Sequence, residues 1–500
     1  MAKQFVCQRY IYKLNSTRLR EAKWKLTLPL AEARKNDEVI SLADSQQLRW
    51  LDELNGIEGA EERAREIRRE IKRLRQEPAS SGGSRAIQKL YAELNEVQFK
   101  PDYMCLIIDR VQDYRRACKG FSINGIEYER LLGTNGGVKN STIVFISKRH
   151  AKEIKRRVDN GRNLNKELVP AKFEAYKALT CSASTPVSLP HGILVVDDCE
   201  THFNSDIIYL NDEDADEPVM EYQYDVPVDL DESDGYGLML PSLAQRWSEE
   251  LNLDYIASGM NTRFCWEKGM VFTFDFIDFA DKVAGHYIVQ DAWGNEVDVR
   301  NVELILTTSM LKLWNSYDSL ESYVDNCLRN KYTFGITKVC PKELENERNL
   351  NYQFIQSYDL DDDDIEKLIS PTVNEFHEVL QGDNMKTILF MKGMGLNDNS
   401  VINADNDTLK ALMIEPELAN DPYIRSSLFK SIHKRIDNAK VGVIKIHGNY
   451  SIISGDPYSL CQSIFGLEVT GLLNAGEIYN KYWLDSGADS LACYRAPMTY

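Results

Sequence analysis

The sequence has few of the residues that build zinc and disulfide sites. Its 500 residues include seven histidines and ten cysteines, and the cysteines are spread singly, without a Cys-x-x-Cys pair. There is no His-Glu-x-x-His motif and no pair of histidines at helical spacing. These absences exclude zinc ribbons, dithiol redox motifs and helical zinc-protease sites. We expect most of the cysteines to be small hydrophobic residues in a reducing cytosol.

Long apolar segments are also missing. No run of 18 apolar residues occurs in the chain, so the sequence predicts no membrane span. Met1 is followed by Ala-Lys-Gln-Phe, without the apolar stretch of a secretion signal. We therefore expect a cytoplasmic protein with no membrane partner.

Positive charge is scarce after residue 200. Residues 1–200 contain 36 Lys and Arg against 27 Asp and Glu, whereas residues 201–500 contain 23 against 50, for a net charge of −18. The basic first part could contact a polyanion, and the acidic remainder could hold cations or favour solubility. A chain of this length predicts two to four domains.

A charged helix is predicted over 61–76. Ile67, Ile71 and Leu74 recur there at helical spacing, a Gly/Ser-rich linker follows at 77–84, and a second helix is predicted over 86–97. The pair is consistent with a helical hairpin whose charges are solvated. It is also consistent with a basic arm that contacts a nucleic-acid backbone. We expect residues 1–130 to be mainly helical.

Short apolar runs predict strands in the middle of the chain, and longer periodic segments predict helices after residue 315. Candidate strands are 103–108, 142–146, 193–196, 207–210, 270–276, 286–290, 302–307, 441–447 and 450–454. Candidate helices are 148–157, 319–329, 363–369, 373–380 and 423–438.

Two runs of aspartates could suggest a metal site. The run 359–364 directly precedes a helical segment, so it reads as a helix cap with acidic first-turn residues. The run 229–235 offers loop carboxylates, a type of ligand that binds Mg²⁺. No second rigid set of ligands follows either run.

Three later segments are more specific when they are taken in order. Asp234-Gly-Tyr-Gly237 leads into an amphipathic helix, and two glycines so close together predict a positive φ or a close backbone approach. Met260-Asn-Thr-Arg-Phe-Cys-Trp-Glu-Lys-Gly269 leads into an apolar strand. A further strand ends in Ser309-Met-Leu-Lys-Leu-Trp314. Each segment alone is a weak signal.

In this order the segments resemble the two-barrel RNA polymerases, which comprise the RNA-dependent RNA polymerases of eukaryotic RNA silencing and single-chain bacteriophage RNA polymerases. The resemblance spans roughly 135–500 and includes Gly136–Ser141, Pro170–Ser184, Asn474–Ile478 and Ala492–Met498. It implies an α+β fold with a double-psi β-barrel core, a helical N-terminal region and a helical insertion. The expected divisions are 1–130 helical, 131–230 mixed α/β lead-in, 231–315 first barrel (alternatively from near 185), 316–440 helical, and 441–500 the incomplete start of a second barrel.

The resemblance also implies roles for individual residues. Lys268 and Lys312 would be catalytic cations that face nucleotide phosphates. The substrate-binding residues would be Arg263, Asp234, Gly235, Gly237 and Arg495. No residue of this chain is implied as a metal ligand. Fixed cations suit a reaction that develops negative charge on phosphate.

One family element is not found among these 500 residues. The Asp-x-Asp-Gly-Asp loop that holds catalytic Mg²⁺ follows the Arg-x-Pro element in the family, and it does not occur up to Tyr500. We therefore expect the N-terminal portion of an RNA polymerase, truncated or one half of a split enzyme, that polymerises nothing alone. Mg²⁺ would bind through residues beyond Tyr500. A search of the reading frame beyond Tyr500 for Asp-x-Asp-Gly-Asp tests this expectation.

The implied partners are a nucleic-acid template, the RNA product, nucleoside triphosphates and the missing C-terminal part. The expected location is the cytoplasm of a bacterial host, with packaging in a virion as a further option. The alternative function is a non-catalytic nucleic-acid-binding or virion-associated protein that keeps the barrel as scaffold.

Overall fold

The chain divides into two compact units in the computed structural model. Unit 1 contains Met1–Lys342 and Ser454–Asn474, and unit 2 contains Glu343–Ile453 and Ala475–Tyr500. The residues described are 8–56, 60–76, 81–133, 142–211, 219–350, 352–381, 384–392, 407–474 and 476–495. The predicted motif Gly136–Ser141 and the last residues of the Arg-x-Pro motif (496–498) lie outside them. The α+β class is confirmed.

The first part of unit 1 is built on a seven-stranded mixed sheet, in the order β2-β5-β6-β7-β4-β1-β3. Its strands are β1 Gln8–Asn15, β2 Lys25–Leu26, β3 Val39–Ala43, β4 Phe99–Ile107, β5 Phe121–Ile123, β6 Ile126–Gly133 and β7 Thr142–Ser147. Side chains alternate between two cores along β4: Tyr103 and Cys105 enter one, and Met104 and Leu106 enter the other. Both faces of this sheet are therefore covered.

Seven helices accompany this sheet, and two of them form the predicted helical hairpin. The helices are α1 Ser16–Glu21, α2 Leu30–Lys35, α3 Gln46–Leu54, α4 Ala60–Gln76, α5 Ser81–Gln98, α6 Val111–Ala117 and α7 Lys148–Asp159. Ile67 and Ile71 of α4 pack with Leu94 of α5, and Arg63 pairs with Glu93 at 2.6 Å. Strands β1 to β6 lie among these helices, and the boundary of the helical N-terminal region at residue 130 stays a prediction. β1 was missed because both of its faces are buried, which removes the alternation of apolar and polar residues.

The second sheet of unit 1 is a curled half-barrel, in the order β8-β18-β13-β14-β12-β17-β9. The strands of this part of the chain are β8 Thr185–Val187, β9 Ile193–Val196, β10 Glu200–Asn211, β11 Val219–Asp231, β12 Tyr236–Met239, β13 Gly259–Phe264, β14 Glu267–Thr273, β15 Ile288–Gln290, β16 Glu296–Asp298, β17 Leu304–Thr307 and β18 Phe334–Val339. β12 pairs parallel with β14 and antiparallel with β17. The strands of this sheet run from residue 185 to residue 339, and the bounds of the first barrel stay a prediction.

Two cores enclose the curled sheet. Met260 and Val271 face the larger one, which also receives Tyr103 and Ile146 from the first sheet. The opposite face carries Leu238 and other apolar residues into a second core. Four helices lie along this stretch of the chain: α8 Pro170–Lys177, α9 Pro241–Glu250, α10 Phe276–Phe279 and α11 Leu320–Arg329. β10 and β11 form a separate two-stranded ribbon.

The remaining elements follow residue 343. They are β19 Glu347–Asn349, α12 Tyr352–Ser357, α13 Asp362–Leu380, α14 Asn384–Lys392, α15 Asp407–Ile414, α16 Pro422–Ala439, β20 Lys445–His447, α17 Pro457–Ile464 and α18 Lys481–Asp485. Asp361 caps α13, as the acidic run predicted: its side chain accepts a hydrogen bond from the Asp364 N–H. α17 belongs to unit 1 and packs in the second core through Leu460 and Cys461.

The region predicted to start the second barrel, 441–500, contains few strand residues in its described part. Between 441 and 495 the described residues contain a single strand, β20, which pairs with β19 within unit 2. The start of a second barrel at 441–500 therefore stays a prediction. In the described parts of the chain, no helix is long and apolar enough to cross a membrane.

Candidate functional site

The hairpin of β13 and β14 brings two of the predicted cations together. Arg263 and Lys268 are direct partners in this antiparallel ladder, so their side chains leave the same face of the sheet. The Arg263 guanidinium donates Nη1–H bonds to the Asn261 side-chain oxygen at 2.8 Å and to the Thr262 carbonyl at 2.5 Å. Lys268 is exposed. The hairpin thus holds one cation rigidly beside a second that reaches solvent.

The third cation arrives on the loop after β17. The Lys268 N–H donates to the Met310 carbonyl at 3.1 Å, and the Lys312 N–H donates to the Trp266 carbonyl at 3.2 Å. The Lys312 ammonium donates to the Ser309 carbonyl within its own loop. These backbone bonds fix the loop against the β13–β14 hairpin, so Lys312 lies on the same rim as Lys268.

The electrostatics agree with this arrangement. Burial lowers the pKa of Lys268, and the charges of Arg263 and Lys312 lower it further, while Asp234 raises it. Burial also lowers the pKa of Arg263, with an opposing effect from Glu267. Charged groups that shift the pKa of Lys268 lie close to it. The structure therefore brings Arg263, Lys268, Lys312 and Asp234 into one site.

Glu267 lies beneath these cations and was not singled out by the sequence. It has no exposed surface, and its Oε1 accepts a hydrogen bond from the Thr262 hydroxyl at 2.5 Å. Its buried Oε2 has no hydrogen-bond partner among the described residues. Burial raises its pKa to about 7, against the hydrogen bond from Thr262 and the charges of Arg263 and Lys312. A buried carboxyl under a row of cations is a perturbed group of the kind found at functional sites.

The two predicted glycines are required for different reasons. Gly235 has φ +74°, in the left-handed region, and its N–H donates to the Ser309 hydroxyl at 2.8 Å. Gly237 lies against β17, where an added Cβ would be 2.2 Å from the Ile305 carbonyl oxygen. The sequence-based prediction of a positive φ or a close backbone approach is confirmed at both positions.

Asp198 connects the segments of the site, and sequence reasoning missed it. One carboxylate oxygen accepts from the Ser309 N–H and the Thr308 hydroxyl, both at 2.8 Å. The other accepts from the Ser233 hydroxyl at 3.2 Å and from the Ser309 hydroxyl. Its position just after the buried strand β9 could have identified it, since polar residues that follow strand ends often line ligand-binding sites.

The carboxylates of the site do not fit a metal ion. Asp229 is paired with His202 at 2.8 Å, the Asp231 carboxylate accepts from the Ser233 N–H, and Asp234 faces Lys268. In the parts of the chain that the structure describes, no three His, Cys, Asp or Glu side chains are grouped so as to hold a metal. These carboxylates are therefore not assigned to Mg²⁺.

Arg495 belongs to unit 2. The other predicted site residues, Asp234, Gly235, Gly237, Arg263, Lys268 and Lys312, all belong to unit 1. The role of Arg495 in substrate binding stays a prediction.

Comparison with protein families decides the relationship. The model of the family described as "RNA dependent RNA polymerase" matches residues 84–490, which is most of the chain. The protein belongs to this family. The match includes every site residue named above except Arg495.

Two individual proteins are similar to the chain. The "DNA-directed RNA polymerase YonO" of Bacillus phage SPbeta is 29% identical over 388 residues, covering 75% of this chain and 43% of the phage protein. The chain thus spans less than half the length of this relative. The structure of "RNA dependent RNA polymerase QDE-1 from Thielavia terrestris" matches with a TM-score of 0.39 and 15% identity, over 69% of this chain and 38% of that one. At this TM-score we draw nothing further from that structure.

Proposed function

We propose that this chain supplies the phosphate-binding cations of a template-directed RNA polymerase. Arg263, Lys268 and Lys312 face the phosphates of an incoming nucleoside triphosphate and stabilise the charge that develops when its α-phosphate is attacked. Arg263 binds through its Nη2–H donors, since its Nη1–H and Nε–H groups are bonded within the protein, and the two lysines act as compact point charges. Gly235 and Gly237 let the Asp234–Gly237 turn approach the same rim.

One observation carries the proposal. Among the described residues, Arg263, Lys268 and Lys312 form no ion pair with a carboxylate within 4.0 Å, although they share one rim and depress the pKa of Lys268. Holding like charges together without a carboxylate in direct contact is unfavourable. The repulsion is relieved when a polyanionic ligand binds. In nucleotide addition this ligand is the nucleoside triphosphate.

The proposed partners follow from the family and from the phage relative. They are a nucleic-acid template, the RNA product, nucleoside triphosphates and a further polymerase part that carries the metal-binding loop. Divalent metal, Mg²⁺ in our proposal, would be held by that part. The relative is named for a DNA template and the family for an RNA template, so both templates belong in the test. The proposed location is the cytoplasm of a bacterial host.

The test is a comparison of Lys268→Ala and Lys312→Ala with the unchanged chain. We expect each variant to bind nucleoside triphosphate more weakly. In a polymerase that contains the chain together with the metal-binding loop, we expect nucleotide addition to fall by about 10²-fold or more, the usual effect of removing one preorganised charge contact. Addition is measured with labelled nucleotides on DNA and on RNA templates.

Lys152→Ala is the matched control, because Lys152 is an exposed lysine on α7, outside the second sheet. It should leave binding and addition unchanged. If the Lys268 and Lys312 variants behave like this control, the rim is not a nucleotide site. The alternative of a scaffold without catalysis is then favoured.

A further inference from the structure

A cavity is lined by Lys312 and by residues of α8, and we propose that it binds a nucleoside phosphate as a separate, non-catalytic site. It occupies about 350 Å³ between the start of α8 and the loop 308–315. This volume lies at the lower end of the ~300–1,000 Å³ range of small-ligand sites. It suits a single nucleotide unit rather than a duplex.

The polar groups that line the cavity are available to a ligand. Lys172 is exposed and, among the described residues, forms no ion pair. Trp314 and Tyr176 also line it, and in the described parts of the chain neither the Trp314 indole N–H nor the Tyr176 hydroxyl has a hydrogen-bond partner. Glu167 supplies an acceptor. A cation, two donors and an acceptor around one cavity match a phosphate joined to a nucleobase edge.

The aromatic rings give the cavity a surface on which a base can stack. Trp314 is held in place by an edge contact with Trp293, with ring centroids 5.5 Å apart. Base–aromatic stacking accepts any base, because every base has a π-face. Tyr176 provides the second ring. The expected ligand is therefore recognised as a nucleotide without strong selection of its base.

The charge behind the cavity also favours an anion. Phe173, another lining residue, carries the Arg162 guanidinium over its ring at 4.4 Å and the Lys177 ammonium at 4.3 Å. The Arg162 side chain is 10% exposed and lies 3.9 Å from a carboxylate oxygen of Asp159. Within the part of the chain that the structure describes, its buried Nε has no hydrogen-bond partner. Lys177 is paired with Glu174. Arg162 thus places positive charge close to the cavity and is paired with Asp159 at the long distance of 3.9 Å.

The inference goes beyond the proposed catalytic role, although the two sites share Lys312. A nucleoside monophosphate has no pyrophosphate leaving group, so its binding is measured without nucleotide addition. Substitutions at residues that belong to only one site distinguish the two sites. Lys172 and Tyr176 line the cavity, and Lys268 does not.

The experiment measures binding of adenosine monophosphate to the purified chain by equilibrium dialysis. We expect Lys172→Ala and Tyr176→Ala each to weaken binding about 10-fold, in the range that one lost stacking or charge contact gives. Tyr176→Phe should retain most of the affinity because the ring remains. Adenosine and inorganic phosphate should each compete more weakly than the monophosphate.

Lys166→Ala is the control, since Lys166 is exposed and does not line the cavity, and it should bind like the unchanged chain. A 5′-phosphorylated oligonucleotide that competes as well as the monophosphate would identify the ligand as a strand terminus, and failure of that competition would identify it as a free nucleotide; both results support the site. Absence of monophosphate binding by the folded chain would overturn the proposal. Binding that depends on Lys268 and not on Lys172 would overturn it as well, even if the catalytic role of the rim were upheld.

Discussion

At the scale of single residues, Glu267 gives the site a pH dependence. Its folded-state pKa of about 7 lies above the ordinary value of 4.5 because the side chain is buried. The folded chain therefore binds this proton more tightly than the unfolded chain. The resulting stabilisation is fully present below pH 4.5 and is lost as the pH rises through 7, a change of roughly 2–4 kcal/mol.

We expect Glu267→Gln to remove this dependence, because the amide cannot ionise. Between pH 5 and pH 8 the free energy of unfolding of the variant should rise relative to that of the unchanged chain. Denaturant unfolding at the two pH values measures it. Glu296→Gln, at an exposed position, is the control and should follow the unchanged chain. Parallel curves for Glu267→Gln would show that the carboxyl is solvated.

Gly237 allows β12 and β17 of the curled sheet to pack closely. Gly237→Val should lower the free energy of unfolding by more than ~1 kcal/mol, because the new side chain must displace the Ile305 carbonyl. Thermal unfolding measures the change. Gly133→Ala is a matched control, since nothing lies within 4 Å of a Cβ added there, and it should be within ~0.5 kcal/mol of the unchanged chain. If the two substitutions lower the free energy of unfolding equally, then β12 and β17 do not pack closely at Gly237.

At the scale of elements, the loop 308–312 depends on one carboxylate. Asp198→Ala leaves the Ser309 N–H and three hydroxyls without their acceptor, so the loop that carries Lys312 should lose its fixed position. We expect a loss of ~1–3 kcal/mol in stability and weaker binding of nucleoside triphosphate, measured by denaturant unfolding and by titration. Asp197→Ala, at the exposed neighbouring position, should change neither. A Lys312 site that binds normally in Asp198→Ala would refute the positioning role.

Local signals predicted some of these elements well and others poorly. α13 and α11 were predictable because Asp361 and Ser319 are capping residues before periodic segments. β1 was missed because Ile11 and Tyr12 enter opposite cores, which hides a strand's alternation. The rim cations were found through the order of three motifs. Asp198 was missed because its role is set by residues more than 30 positions away in sequence.

At the scale of the whole molecule, the two units differ in the size of their cores. Unit 2 has two small clusters, one around Phe376 and Phe390 and one around Leu409 and Leu412, whereas the largest core of unit 1 joins both of its sheets. Burial of apolar surface is the main stabilising contribution to folding. We expect amide hydrogens of α13 and α16 to exchange at least about 10-fold faster than those of β4 and β7 under native conditions. Hydrogen exchange followed by mass spectrometry measures this, and equal protection would contradict it.

The return of residues 454–474 to unit 1 has a consequence for synthesis on the ribosome. Leu238 and Ile305 face a core that α17 completes through Leu460, and the Tyr236 hydroxyl donates to the Asp456 carbonyl at 3.1 Å. Roughly 110 residues of unit 2 are translated before that segment, which takes about 6–22 s at ~5–20 residues per second. During that interval one face of the curled sheet is exposed, because α17 has not yet been synthesised. The nascent chain therefore presents an apolar surface that a chaperone can bind, before the site can reach its final form.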